Sequence, residues 1–513
     1  MIKHPVNFIM KKILPLLFLT AYQFTASVAS DYNIEKYGAV RGANATVAIQ
    51  KAVDACHTAG GGRVIVPAGR FITGTIVLKS HVDFHLQQGA VLEGSLNLSD
   101  YLRTFRLHGI LFAEDAIQVS VTGEGIIDAR GIAFYDTTQS HVTPDFDRQF
   151  TRQKEEYLRE GEFFTDGPVM RKPKPGMALS FFHCSQITLK DFTLKDTPSW
   201  AVRFGYCDDV LVEGISILNN LMVPNSDGIH FTASRNARIS NCDIRAGDDA
   251  IIVTGFALEE NHPGFDPGVQ AARRHGNKTK YAENYTVTNC LLQSRSSGIR
   301  IGYGQHPIRR CVFSNLVIYG SNRGIGVFVR DAADISDLIF SNIVIDTRLH
   351  NGHWWGNGEP IHLSAISRFT GEPVGTIRNV QFDNIIATGE HGLLVYGDPD
   401  SPMRDIRFDR VQLRIQAGPE TMAYGGNFDL RPNPVKERQV FAHNIPGLYV
   451  QHVEGLSVRD FQLEWGGGLP DFFTHGIECR QVQGLYIRNF RGMPNPGAVN
   501  AVRIRLEQTT LAE

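Results

Sequence analysis

The sequence predicts an all-β chain: a single-stranded, right-handed parallel β-helix of about ten or more coils with an N-terminal capping helix. Three observations predict it. An eight-residue pattern (apolar, x, apolar, x, Asn/Asp/Gly, apolar, x, apolar) returns at Ile187, Val210, Ala237, Tyr285, Cys311, Leu338, Val380, Ile406, Leu456 and Leu485. A second alternating strand recurs between these runs, as at Gly228 to Phe231, Gly298 to Ile301 and Gly392 to Val395, the signature of a strand with one buried face. Finally, 50 Gly and 23 Pro stand beside 31 Phe in a chain rich in Val and Ile, which suits many short strands and turns.

Consecutive repeats begin 23, 27, 48, 26, 27, 42, 26, 50 and 29 residues apart. The short steps fit one solenoid coil, and the long ones a coil carrying a loop. A β-propeller would need blades of about 40–45 residues, which steps near 26 disfavour. Right-handedness follows the usual crossover preference.

Residues 1–29 read as a secretory signal peptide: Lys3, Lys11 and Lys12 flank the apolar run Ile13 to Ala21, and Ser27 to Ala29 offer small residues for cleavage. That run is shorter than the ~20 residues a membrane span needs. The remaining 30–513 form the β-helix, expected outside the cytoplasm (secreted or periplasmic) and not membrane-bound after cleavage. Thr46 to Ala59 has apolar residues at helical spacing and caps the tube. Gly60 to Gly62 follow this helix and precede the strand Arg63 to Pro67, the reverse of a phosphate-binding loop.

With 51 Lys and Arg against 53 Asp and Glu, the net charge is −2. That balance carries no footprint for nucleic acid or for a polybasic membrane surface. Seven cysteines, odd in number and without a zinc-type spacing, read as buried small hydrophobes. No metal and no cofactor is implied.

Two motifs carry chemistry: Asn225-Ser226-Asp227 and Gly247-Asp248-Asp249. Asp227 and Asp249 are 22 residues apart, one coil, so Asp227 falls under Asp249. Adjacent coils lie ~4.8 Å apart, which crowds three carboxyl groups onto one outer face. Like charges this close push at least one pKa up and can keep an acid protonated beside ionised bases. A turn or a calcium site is the structural alternative. Arg300 and His230 fall in one outward row, and Arg330 ends its strand facing outward. A guanidinium near the carboxylates suits a uronate. Three long loops are expected near 257–283, 346–375 and 416–446, and the second offers Trp354 and Trp355 for stacking on a sugar.

At these motifs the chain resembles glycoside hydrolase family 28, the polygalacturonase and rhamnogalacturonan hydrolase group. The entry segment is similar too, in Tyr37 to Val40, Ala48 to Ala52, Gly60 to Pro67 and Gly89 to Leu92. The resemblance implies a right-handed β-helix, a poly- or oligosaccharide substrate of pectin type, and Asp248 as general acid. Asp227 and Asp249 would hold and deprotonate the attacking water, an inverting arrangement, with Asn225 in the substrate cleft. The chain departs from the family where Ser297 replaces a histidine and where Gly326 and Phe328 replace the arginine and lysine that grip galacturonate. Long loops favour cleavage from the chain end. A β-helix polysaccharide lyase and a non-catalytic carbohydrate-binding β-helix are the alternative readings.

Overall fold

The computed structural model describes residues 1, 30–104, 107–141, 163–257, 281–433, 435 and 438–512. Apart from Met1, the expected signal peptide lies outside the described residues, as does nearly all of the 257–283 loop. Among the described residues no helix is long and apolar enough to cross a membrane.

Strands from Asp31 to Glu507 form one 34-stranded sheet, wound as a parallel β-helix. The sequence repeats are its register. Ile187 pairs with Val210, Val210 with Ala237, Ala237 with Tyr285 and Tyr285 with Cys311. The series continues through Leu338, Val380, Ile406 and Leu456. Coils up to Ser294 have three short strands. Above them the second and third strands fuse into long bent ones such as Ile308–Ser321, Ile335–Thr347 and Ile377–Gly389.

The bend is an asparagine device. Asn289, Asn315, Asn342 and Asn384 all have φ near +55°, a conformation that Asn adopts more readily than bulky residues. Their side chains then bond along the axis: Asn342 Nδ2 donates to Asn315 Oδ1 at 3.2 Å and Asn384 Nδ2 to Asn342 Oδ1 at 2.7 Å.

Inside, one apolar core runs from Ile34 to Phe490. Identical register stacks like on like: Phe313, Phe340, Phe382 and Phe408 lie face to face with centroids 5.2, 5.0 and 5.1 Å apart. All seven cysteines are buried free thiols, as the sequence implies. The capping helix spans Thr46–Thr58 and buries Ile49, Ala52, Val53 and Cys56 over the open end. Its Gln50 imitates a further strand, accepting from Val77 N at 2.8 Å and donating to Val77 O at 3.0 Å. The turn after it needs glycine: Gly61 and Gly62 have φ of +116° and +147°, and a Cβ on either would meet a carbonyl oxygen at 2.6 Å.

Two of the expected loops carry structure of their own. The strand Ile361–Ala365 divides 346–375. The 416–446 segment holds a helical turn, Thr421–Tyr424, and a small antiparallel pair, Phe428–Asp429 with Val440–Phe441. A further excursion was not anticipated: the ribbon of Tyr135–Ser140 and Val169–Arg171.

Phe382 is fully buried at the centre of the ring ladder. Phe382→Ala is expected to lower unfolding free energy by about 3–5 kcal/mol, read from denaturant titration. A loss below about 1 kcal/mol would show that neighbouring rings close the gap.

Candidate active site

Strand pairing builds the site. Ile229 pairs with Ile251, Ile251 with Ile299 and Ser297 with Arg323. Asp227, Asp249, Ser297 and Arg323 therefore form one axial column, with Trp200 one coil below. Beside it runs a second column in which Arg203 pairs with His230, and Ile252 with Arg300.

The carboxylates are not on an open face. Asp227, Asp248 and Asp249 are only 2%, 5% and 3% exposed, because Trp355, Arg431 and Pro432 arrive from the 346–375 and 416–446 segments to wall a cavity of about 430 Å³. This corrects the outer-face expectation. The coil supplies the register, and the excursions supply the burial.

Burial and the neighbouring Asp249 push the Asp248 carboxyl up to about 7, with Arg300 and Arg171 pulling back. Asp227 is raised well above its ordinary value by burial and then by Asp248 and Asp249. Asp249 is held differently: Arg300 Nε is ion-paired to its Oδ2, and the Ser297 N–H donates to its Oδ1 at 2.9 Å. Burial opposes the Arg300 charge, but Asp249 outweighs it and holds the guanidinium above its ordinary pKa. Asp248 Oδ1 accepts from Asp249 N at 2.9 Å and Oδ2 from Asn225 Nδ2 at 3.0 Å.

His230 is kept neutral, its pKa lowered well below the usual value by burial and by the Arg300 and Arg203 cations. Its ring lies flat on Trp200 at 3.9 Å, with Nδ1 3.3 Å from Asp227 Oδ2. Among the described residues, Asp227 Oδ1 and Arg300 Nη1 are buried here with no hydrogen-bond partner. Unsatisfied buried polar atoms are rare enough to call for a functional explanation.

Of the residues singled out in the sequence, Asn225, Asp227, His230, Asp248, Asp249, Arg300 and Trp355 line this cavity. Three do not. Ser297 is fully buried behind Asp249, its hydroxyl 3.5 Å from Arg323 Nη1. Arg330 is turned away to Ser364, donating to its Oγ at 2.8 Å and its O at 3.2 Å, because Phe328 occupies the cavity side. Trp354 is buried in the loop, its carbonyl accepting from Arg431 at 3.0 Å. Arg300 is also corrected in part, since it serves Asp249 before any ligand.

Sequence reasoning missed Trp200, Arg203, Arg323 and Tyr303, all cavity-lining. Extending the 22-residue register argument one coil down finds the first two, and two coils up finds Arg323. Arg368, Arg431 and Pro432 had no comparable signal. The arginines are backed by acids: Arg368 Nε meets Asp331 at 2.8 Å, and Arg431 meets Asp429 at 2.8 Å. Arg323 lies 3.6 Å from Glu359 and 3.5 Å from Asp429.

Residues 160–327 match the family described as glycosyl hydrolases family 28. A probable polygalacturonase from Vitis vinifera is 28% identical over 209 residues, 38% of this chain and 37% of the relative. An exo-poly-alpha-D-galacturonosidase from Dickeya chrysanthemi is 29% identical over 259 residues, 44% of this chain and 42% of the relative. The chain thus spans less than half the length of these two curated relatives. Among solved structures, the family 28 exopolygalacturonase of Yersinia enterocolitica superposes with TM-score 0.60 at 16% identity, over 94% of this chain and 78% of that one. A hyperthermoactive exopolygalacturonase from Thermotoga maritima gives 0.56 at 21% identity, over 75% and 87%. At these identities the superpositions establish the fold.

The raised Asp248 pKa has a stability sign. Its folded value lies above the unfolded one, so the folded chain binds the extra proton between about pH 4 and 7 and loses relative stability as pH rises through that window. Asp248→Asn removes this dependence. The variant's melting temperature relative to the parent is expected to rise from pH 4.5 to pH 8, and a gap independent of pH would contradict the assignment.

Proposed function

We propose that the chain, whose residues 160–327 match glycosyl hydrolases family 28, is a divergent member of that family and an exported glycosidase acting on an acidic, pectin-type polysaccharide or oligosaccharide. It removes sugar from the chain end with inversion of configuration. The observation that carries this reading is the pair Asp248 and Asp249. They are neighbours in sequence and share burial, yet one is pushed towards the protonated form near neutrality while the other is ion-paired to Arg300.

That division of labour is what glycoside hydrolysis requires. Asp248 gives its proton to the departing glycosidic oxygen as the C–O bond breaks. Asp249 accepts a proton from water as the new C–OH bond forms on the opposite side of the sugar, and Asp227 Oδ1 orients that water. His230, neutral and stacked on Trp200, holds Asp227 in place. Asp248 ends deprotonated and Asp249 protonated, and exchange with solvent resets both.

Trp355, Tyr303 and Phe328 offer apolar sugar faces, and Arg203, Arg323, Arg368 and Arg431 supply positive charge along the cavity wall. These cations stand in for the arginine and lysine that Gly326 and Phe328 displace. Chain-end action is supported by the covering 346–375 and 416–446 segments and by the exo-type names of relatives from Dickeya chrysanthemi and Oenothera organensis. The signal-like segment at 1–29 supports export.

Incubation with defined oligogalacturonides is expected to release single sugars from one end. Asp248→Asn should lower kcat by about 10²–10⁴-fold, and proton NMR before mutarotation should show the inverted anomer. Retention of configuration, or full activity in Asp248→Asn, would refute the mechanism.

A further inference from the structure

We propose that Arg171 is a positioning residue for Asp248, acting through Asn225 from a ribbon that leaves the coil. The proposal rests on Asp248 being the general acid. It starts from the hydrogen bonds: Asn225 Nδ2 donates to Asp248 Oδ2 at 3.0 Å, and Arg171 Nη2 donates to Asn225 Oδ1. A single amide thus joins an arginine on one side to the acid on the other. Asn225 has the left-handed φ of +54°, and its amide reaches the Gly247 to Asp249 turn through the bond to Asp248.

The ribbon that carries Arg171 is anchored where this relay needs it. Arg171 pairs with Tyr135 across the ribbon, whose strands are Tyr135–Ser140 and Val169–Arg171. Val169 N donates to Met222 O at 3.0 Å, three residues before Asn225, and Tyr135 Oη donates to Pro198 O at 2.7 Å. Phe134, Tyr135, Val169 and Val223 close a small apolar cluster of their own beneath the ribbon. The excursion is therefore packed on the segment that ends in Asn225. The 225–227 motif places the amide, and the ribbon decides which way it points.

The charged groups facing Asp248 come from four elements. Asp249 is beside it, Asp227 lies on the coil below, Arg300 on the coil above, and Arg171 on the ribbon. Arg171 in turn faces Lys174, which burial and then the Arg171 charge push down to about 7, and His141, lowered by the same two causes. Arg171 is exposed, so water screens its charge, and its electrostatic pull on Asp248 ranks behind burial, Asp249 and Arg300. Its larger effect is orientation: an acid that has lost one of its two fixed donors explores geometries that miss the leaving oxygen.

The test compares Arg171→Met, Arg171→Lys and Lys174→Met in the full chain on oligogalacturonides. In Arg171→Met, kcat should fall about tenfold with KM within about twofold, and the alkaline limb of the pH profile should move up by about half a unit, since a lost cation makes Asp248 harder to ionise. Arg171→Lys should restore the limb but only part of kcat. Lys174→Met should leave the limb in place. In an Asn225→Ala background the kcat effect of Arg171→Met should largely vanish, because the two act in series.

An unshifted limb, a change confined to KM, or a limb that moves with Lys174→Met instead would overturn the proposal. If Asp248→Asn is inactive while Arg171→Met matches the parent, the relay alone fails. If Asp248→Asn is active, the general-acid reading fails first.

Discussion

The constraint on which the structure depends is the axial repeat of the coil, ~4.8 Å between stacked strands, which places every side chain on its equivalent in the next turn. In the interior this is favourable, and Phe313 through Phe408 stack as a column of rings. At the corner it is favourable again, because an amide both donates and accepts and can bond to its neighbour along the axis. On the functional face the same geometry puts Asp227 under Asp249, where two carboxylates oppose each other. The chain offsets that repulsion with Arg300, ion-paired to Asp249 from the coil above, rather than by breaking the register.

Burial turns the crowded column into chemistry. On an open face, water would screen the charges of the three aspartates from one another. The covering segments remove that water, so the small differences in partner become decisive. Asp249 has a guanidinium and a backbone N–H, while Asp248 has an asparagine amide and a backbone N–H. One charge-bearing partner separates the two roles. A site of this kind is held at the expense of stability, and the ring ladders and the continuous core supply the surplus.

Phe328 shapes the cavity wall, its ring sitting between Arg323 and Arg330 at 5.0 and 5.2 Å from their guanidinium carbons. It leaves Arg323 on the cavity side and Arg330 behind. Most of the cavity arginines have an acid at their backs, so their directions are set before any ligand arrives. The cavity wall is thus a rigid array of planar donors interleaved with aromatic faces.

The fold was legible because a solenoid writes its geometry into the chain as a period. The ten repeat starts stack in the order and register the spacing implies, and the 22-residue step correctly set Asp227 beneath Asp249. The sequence alone also marked His230 and Arg300, both fixed by strand register, and Asn225 in the turn before Asp227. What it could not reveal is which residues the excursions bring. Arg431 and Pro432 reach the cavity from a segment with no period, and Arg171 reaches Asn225 from a ribbon 54 residues earlier. Nor could it tell Trp355, at the cavity, from Trp354, in the loop interior. Local periodicity determines which positions share a face, whereas burial, and with it every perturbed pKa in this site, depends on contacts between segments that no local pattern relates.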